Sequence, residues 1–117
     1  MYRMLIGCLM FVSAASFADV PQQVDRTSPR TSFATHKTAD AFVRCVVDAS
    51  RSEFPASRVE SRKSGQIVSV RRAPDAGVVA VIDFEDASGG VGMVTVQTAS
   101  RAQPERDPAA KIARNCQ

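Results

Sequence analysis

The chain has 117 residues, with 15 Lys and Arg against 12 Asp and Glu, a single His and a formal net charge of +3. Aromatic residues make up 6% of it and Trp is absent. So even a balance argues against a nucleic-acid binder, which concentrates basic charge on one face, and so few rings argue against a stacking platform for single strands.

The first element is a leader. Arg3 precedes an uncharged, mostly apolar run from Met4 to Ala15, and Ser16-Phe17-Ala18 has the small-x-small form of a cut site. These are the three regions of a secretory signal. They predict cleavage near Ala18, a mature chain beginning at Asp19, and a periplasmic or secreted bacterial protein. Inside this leader, Leu5-Ile6-Gly7-Cys8 spells the lipoprotein processing consensus. Most of the apolar run follows Cys8, so acylation there would leave Leu9 to Ala18 as an apolar tail. The reading adopted is therefore a soluble, cleaved chain, with membrane attachment not expected. A retained anchor would need about 20 apolar residues, more than the run supplies.

Removing residues 1–18 of 117 leaves 99, enough for one small domain. The leader takes Arg3 and no acid, so the mature balance falls to 14 basic against 12 acidic residues. Residues 19–36, rich in Pro, Gln, Ser and Thr, read as a flexible tether, and residues 37–117 as a single α+β domain. From Thr38, Ala39, Phe42, Val43, Val46, Ala49 and Glu53 recur at three- and four-residue spacings, the pattern of an amphipathic helix. Thr38 is placed to cap it, Asp40 suits its positive first turn, and Pro55 is the expected stop.

Strand-like stretches follow. Arg58–Lys63 is weakly extended. Gln66–Arg72 alternates Val68 and Val70 against Ile67, Ser69 and Arg71. Val78–Phe84 is the most β-branched segment, and Gly92–Thr98 sets Val94, Val96 and Thr98 against Met93, Thr95 and Gln97. The short connections predict a small antiparallel meander of three to four strands. Asp107-Pro108 opens a closing helix, with Asp as N-cap and Pro at the first helical position. Both helices are expected on one face of the sheet.

Once the leader is gone, Cys45 and Cys116 are the only cysteines left. An even count in an exported chain predicts a disulfide, here clamping the last helix to the first. A reactive or metal-binding pair has no CxxC motif to support it.

The order of a helix with a central cysteine (AFVRCVVDA), a V-x-V strand, an AVIDF strand, a GG turn, a second V-x-V strand and a closing helix ending in IARNC resembles a group of small exported proteobacterial proteins. Many of them are lipoproteins, and most have no assigned activity. The likeness covers about residues 38–116. It implies a sheet-plus-helices domain with a Cys45–Cys116 bridge and no known chemistry.

Three motifs invite chemistry. Asp83, Glu85 and Asp86 form the densest acidic cluster, a weak cation candidate that lacks the D-x-D-x-D-G spacing of a calcium loop. Gly89, Gly90 and Gly92 lack both the Lys-Ser/Thr and the following helix that a phosphate loop requires. Arg58, Arg62, Lys63, Arg71 and Arg72 are a candidate stripe for an anionic partner, weighed against a solvated sheet edge. Catalysis has little to stand on: His36 is the only histidine and lies in the expected tether, and no nucleophile elbow is present. No cofactor or metal is implied.

The function expected is thus that of a non-catalytic exported domain binding a protein or envelope partner, an inhibitor or immunity role being one form of it. The alternatives are a small periplasmic hydrolase or cation-dependent enzyme using the acidic hairpin, and an envelope lipoprotein with a structural role.

Overall fold

The computed structural model describes residues 23–101 and 103–117. The expected leader, with Cys8 and the cut site at Ala18, and the first residues of the expected tether lie outside the described residues. Within them the chain runs β1 (Arg30–Thr35), α1 (Ala39–Ser50), β2 (Arg58–Arg62), β3 (Gly65–Val70), β4 (Ala80–Asp86), β5 (Gly92–Thr98) and α2 (Pro108–Asn115). The strands form one antiparallel sheet in the order β1-β5-β4-β3-β2. The fold is α+β as expected, and β2 to β5 are the expected meander.

The sheet has a fifth strand, β1, where three to four were expected. It lies in the stretch read as tether. Its sequence RTSFAT carries one large apolar residue, Phe33, which is buried in the core. The strand's pairing comes from β5, where Phe33 faces Val94. Composition over a polar window cannot reveal a partner so far along the chain.

Helix α1 begins as its sequence dictates. Thr38 Oγ1 accepts the Ala41 N–H at 3.2 Å, and Asp40 sits in the first turn. Phe42, Val43, Val46 and Ser50 form its buried face. The helix stops at Ser50, short of the expected Pro55. The Ser50 hydroxyl donates back to the Val46 carbonyl at 2.7 Å, a local bond that competes with helix continuation. A single turn then carries Phe54 into the interior, its N–H bonded to the Ser50 carbonyl at 2.7 Å. Helix α2 is capped by Asp107, whose carboxylate accepts the Ala110 N–H at 3.0 Å, with Pro108 at its start.

Strand β4 is displaced from expectation. Val78 lies before it, and the strand continues through Glu85 and Asp86, so the acidic residues are strand rather than turn. The turn proper is Ala87–Val91, closed by the Ala87 N–H bonded to the Val91 carbonyl at 2.8 Å. Gly89 and Gly90 have φ of 80° and 74°, a region that L side chains rarely adopt.

Strand alternation separates two faces. Val68, Val70, Ile82, Phe84, Val94 and Val96 join Phe42 and Val46 of α1 and Ala109, Ala110 and Ala113 of α2 in one buried cluster. Phe42, fully buried, sits between Phe33 (6.4 Å between ring centroids, edge-on) and Phe84 (5.6 Å, tilted). The small alanine face of α2 allows close approach to that layer. Cys45 on α1 is bonded to Cys116, just past the end of α2, across 71 positions of sequence.

Candidate functional site

The register of the five strands assembles the other face of the sheet row by row. Glu60, Ile67, Asp83, Thr95 and Ser32 face one another in sequence from β2 to β1. The row on one side is Arg58, Ser69, Val81, Gln97 and Arg30; on the other it is Arg62, Gly65, Glu85, Met93 and Ala34. Every one of these residues is exposed or half-buried. Ile67, Val81 and Met93 occupy the central strands, and Met93 is 40% exposed. Charged side chains border them, chiefly Arg58, Glu60 and Arg62 on β2 and Arg30 on β1. Isolated apolar side chains among polar and charged ones give this face the mixed composition of a non-obligate protein interface.

Asp83 lies in the middle of this surface. Its Oδ2 is 3.3 Å from Arg62 Nη1, and its side chain is only 30% exposed. Its Oδ1 is buried with no hydrogen-bond partner among the described residues. A desolvated carboxylate oxygen without a donor is costly. Beside it, the hydroxyls of Thr95 and Ser32 lie 3.2 Å apart.

The five basic residues read as a stripe take different positions. Arg58 and Arg62 lie on the same side of β2, with Glu60 between them. Lys63 is exposed in the turn before β3. Arg71 follows β3; its N–H is bonded to Ser57 Oγ at 3.2 Å, and its Nε is buried without a partner among the described residues. The Arg72 guanidinium lies 5.0 Å from the centre of the Phe54 ring, a cation–π contact with a core residue.

The acidic cluster is divided by strand alternation. Asp83 and Glu85 belong to the face just described. Asp86, at the end of β4, lines an open hollow of about 360 Å³ with His36, Lys37, Thr38, Asp40 and the Gly90–Gly92 backbone. Asp40 Oδ1 there accepts the Gln66 side-chain amide at 3.0 Å. This hollow mixes cations and carboxylates, and among the described residues no group of three metal-ligating side chains converges. Sequence reasoning missed that His36 reaches it, because only the end of β1 brings His36 there. The alternation of Thr31, Phe33 and Thr35 was the available signal.

One further polar feature flanks the sheet. Asp25 Oδ1 accepts the Thr27 hydroxyl at 2.7 Å and the Thr27 N–H at 2.8 Å, and these bonds hold its carboxyl below the ordinary value of 3.8. Gln97 Nε2 donates to the Asp25 carbonyl at 2.7 Å, tying this turn to β5. Among the described residues no helix is long and apolar enough to cross a membrane. Compared with known protein families, curated proteins and solved structures, the chain matches none.

Proposed function

We propose that this chain is a non-catalytic binding domain of the bacterial periplasm or exterior, exported by the residue 1–18 leader, that engages a protein partner through the sheet face centred on Asp83. In this reading both helices cover the opposite face and the disulfide fixes them there, leaving the Asp83 face free for a partner. A cysteine bridge is compatible with an oxidising compartment. An inhibitor or immunity protein, which acts by masking a surface of its target, is one form the activity takes.

The observation that carries the proposal is the half-buried Asp83, whose second oxygen has no donor among the described residues, set among Ile67, Val81 and Met93. A merely solvated strand face has no use for a carboxylate with one oxygen buried at its centre. Sites that bind often retain such locally unfavourable groups.

A photo-crosslinking amino acid in place of Met93, compared with one in place of the exposed Lys111 on α2, tests this in the producing cell. The expected result is an adduct with another protein from position 93 and none from position 111, lost when Asp83→Ala is added. Equal labelling at both positions, or none at 93, refutes it.

A further inference from the structure

The two edges of the sheet are finished differently. At the β1 edge, the Gln117 side-chain amide donates to the Ala34 carbonyl at 3.0 Å, and Arg114 lies 5.1 Å over the Phe33 ring. The C-terminal residues thus occupy that side. At the β2 edge all five residues are exposed. It has no proline, and Val59 is one of two large apolar residues exposed among the described residues, at 43%.

Which main-chain groups β2 offers follows from the ladder. The Asp86 N–H is bonded to the Ser64 carbonyl at 2.8 Å. Alternation in an antiparallel pair then assigns the N–H and C=O groups of Gln66, Val68 and Val70 to β4, and those of Gly65, Ile67 and Ser69 to β2. Their partners on β2 are Arg62, Glu60 and Arg58. The main-chain groups of Val59 and Ser61 therefore point away from the sheet and have no strand to meet among the described residues. The same alternation predicts that the outward groups of β1 belong to Arg30, Ser32 and Ala34, and the Ala34 carbonyl is the one that Gln117 reaches.

An antiparallel pairing of β2 with a second copy of itself must set outward-pointing residues opposite one another, so its twofold can pass through Val59, Glu60 or Ser61. Centred on Val59, Arg58 of each copy stands opposite Glu60 of the other, and Val59 meets Val59. Arg58 and Glu60 are then the non-hydrogen-bonded pairs, where side chains approach most closely. Centred on Glu60, the main chain would pair through Val59 and Ser61, but Glu60 would meet Glu60 and Arg58 would meet Arg62 as the closest, non-hydrogen-bonded pairs, and like charges there are destabilising. Backbone direction thus allows these registers, and charge favours the Val59 centre over the Glu60 centre. A centre at Ser61 would set Val59 against Lys63 and draw Arg62 from Asp83 toward Glu60. The Val59 centre leaves the Arg62–Asp83 pair in place.

We infer that β2 is a homodimerisation edge, pairing antiparallel with β2 of a second copy about Val59, with two Arg58–Glu60 pairs across the join. The two sheets run on as one. The twofold axis is perpendicular to that sheet, so both Asp83 faces look to the same side and the dimer presents its binding surface twice. So short a strand buries little area, and the association is weak and reversible.

Sedimentation equilibrium of the chain, expressed from its full sequence and purified, tests this over about 10 μM to 1 mM. Concentration-dependent dimer is expected. Arg58→Glu alone and Glu60→Arg alone each raise the dissociation constant about tenfold or more, and the double reversal restores it to within about threefold, because opposite charges again face each other. Val59→Pro removes only an outward N–H and is expected to abolish association while leaving the circular dichroism spectrum unchanged. A monomer throughout the range overturns the inference. So does a dimer indifferent to the single reversals, or one that the double reversal fails to restore. These outcomes are independent of whether a partner is captured at Met93.

Discussion

Arg62 on β2 reaches Asp83 on β4 over the top of β3, closing to 3.3 Å although a whole strand lies between them. The residue of β3 opposite Arg62 is Gly65, so no side chain stands in the path. Gly65 is needed for a second reason. A Cβ placed there would run into the Phe84 carbonyl oxygen of the neighbouring strand, and a main-chain atom in a ladder cannot step aside as a flexible side chain does. Gly65→Ala is expected to lose roughly 1–3 kcal/mol of stability through overpacking. Arg62→Ala, which removes only a part-exposed ion pair, is expected to lose under about 1 kcal/mol. Urea unfolding of the two variants in parallel checks the ranking.

The Cys45–Cys116 bridge closes a loop of 71 positions, for which the chain-entropy account gives about 4 kcal/mol. The double variant Cys45→Ala/Cys116→Ala is expected to be destabilised by about that amount, a large share of the total for a domain this small. Denaturant midpoints of oxidised protein, reduced protein and the double variant measure it. Reduction alone should reproduce most of the loss.

Phe42 is fully buried and touches the rings of Phe33 and Phe84 on either side. Phe42→Ala should cost roughly 3–5 kcal/mol, from lost transfer energy and the cavity left behind. Phe42→Leu keeps most of the volume and should cost less. Thermal unfolding followed by circular dichroism distinguishes the two.

The Asp25 carboxyl is held below 3.8 by the donors of Thr27. A depressed carboxylate pKa contributes stability above the unfolded value, and the contribution is lost as pH falls through the folded value. The contribution is therefore constant above about pH 4 and falls away only in more acid solution. Carboxyl carbon chemical shifts recorded against pH should place the Asp25 midpoint below 3.8. In Thr27→Val the midpoint should rise, since that change removes the Thr27 hydroxyl, the donor that lowers it most.

The elements with their own chemistry written into them are legible in the sequence. Thr38 with Asp40 and Asp107 with Pro108 mark two helix starts, and the alternation through Val68, Val70, Val94 and Val96 marks buried strand faces. The bridge follows from the cysteine count once the expected leader is set aside. What could not be read depends on pairing across distance. Strand β1 owes its order to β5, and the extension of β4 through Asp86 to the ladder partners Ser64 and Gly92. The surface centred on Asp83 is likewise a product of register. No local pattern says that Arg62, Gly65 and Glu85 stand in one row, nor that Arg72 will lie against Phe54.

Strand β1 imposes an order of events on a chain made from its N-terminus. The hydroxyl contact between Ser32 and Thr95 joins positions 63 apart, whereas β2 to β5 pair each with the next. The consecutive hairpins can zip as they appear, but β1 emerges first and has nothing to join until β5 exists, and closing so long a loop is slow. During that interval Phe33 is bare and the core lacks one wall. A nascent chain halted before Thr98 therefore carries an unplaced strand with exposed apolar surface, the kind of segment a holding chaperone would recognise. In the finished protein the buried Phe33 and the Gln117 contact hold that strand in place, and the fully exposed β2 at the other edge is the strand whose amide protons should exchange with solvent first.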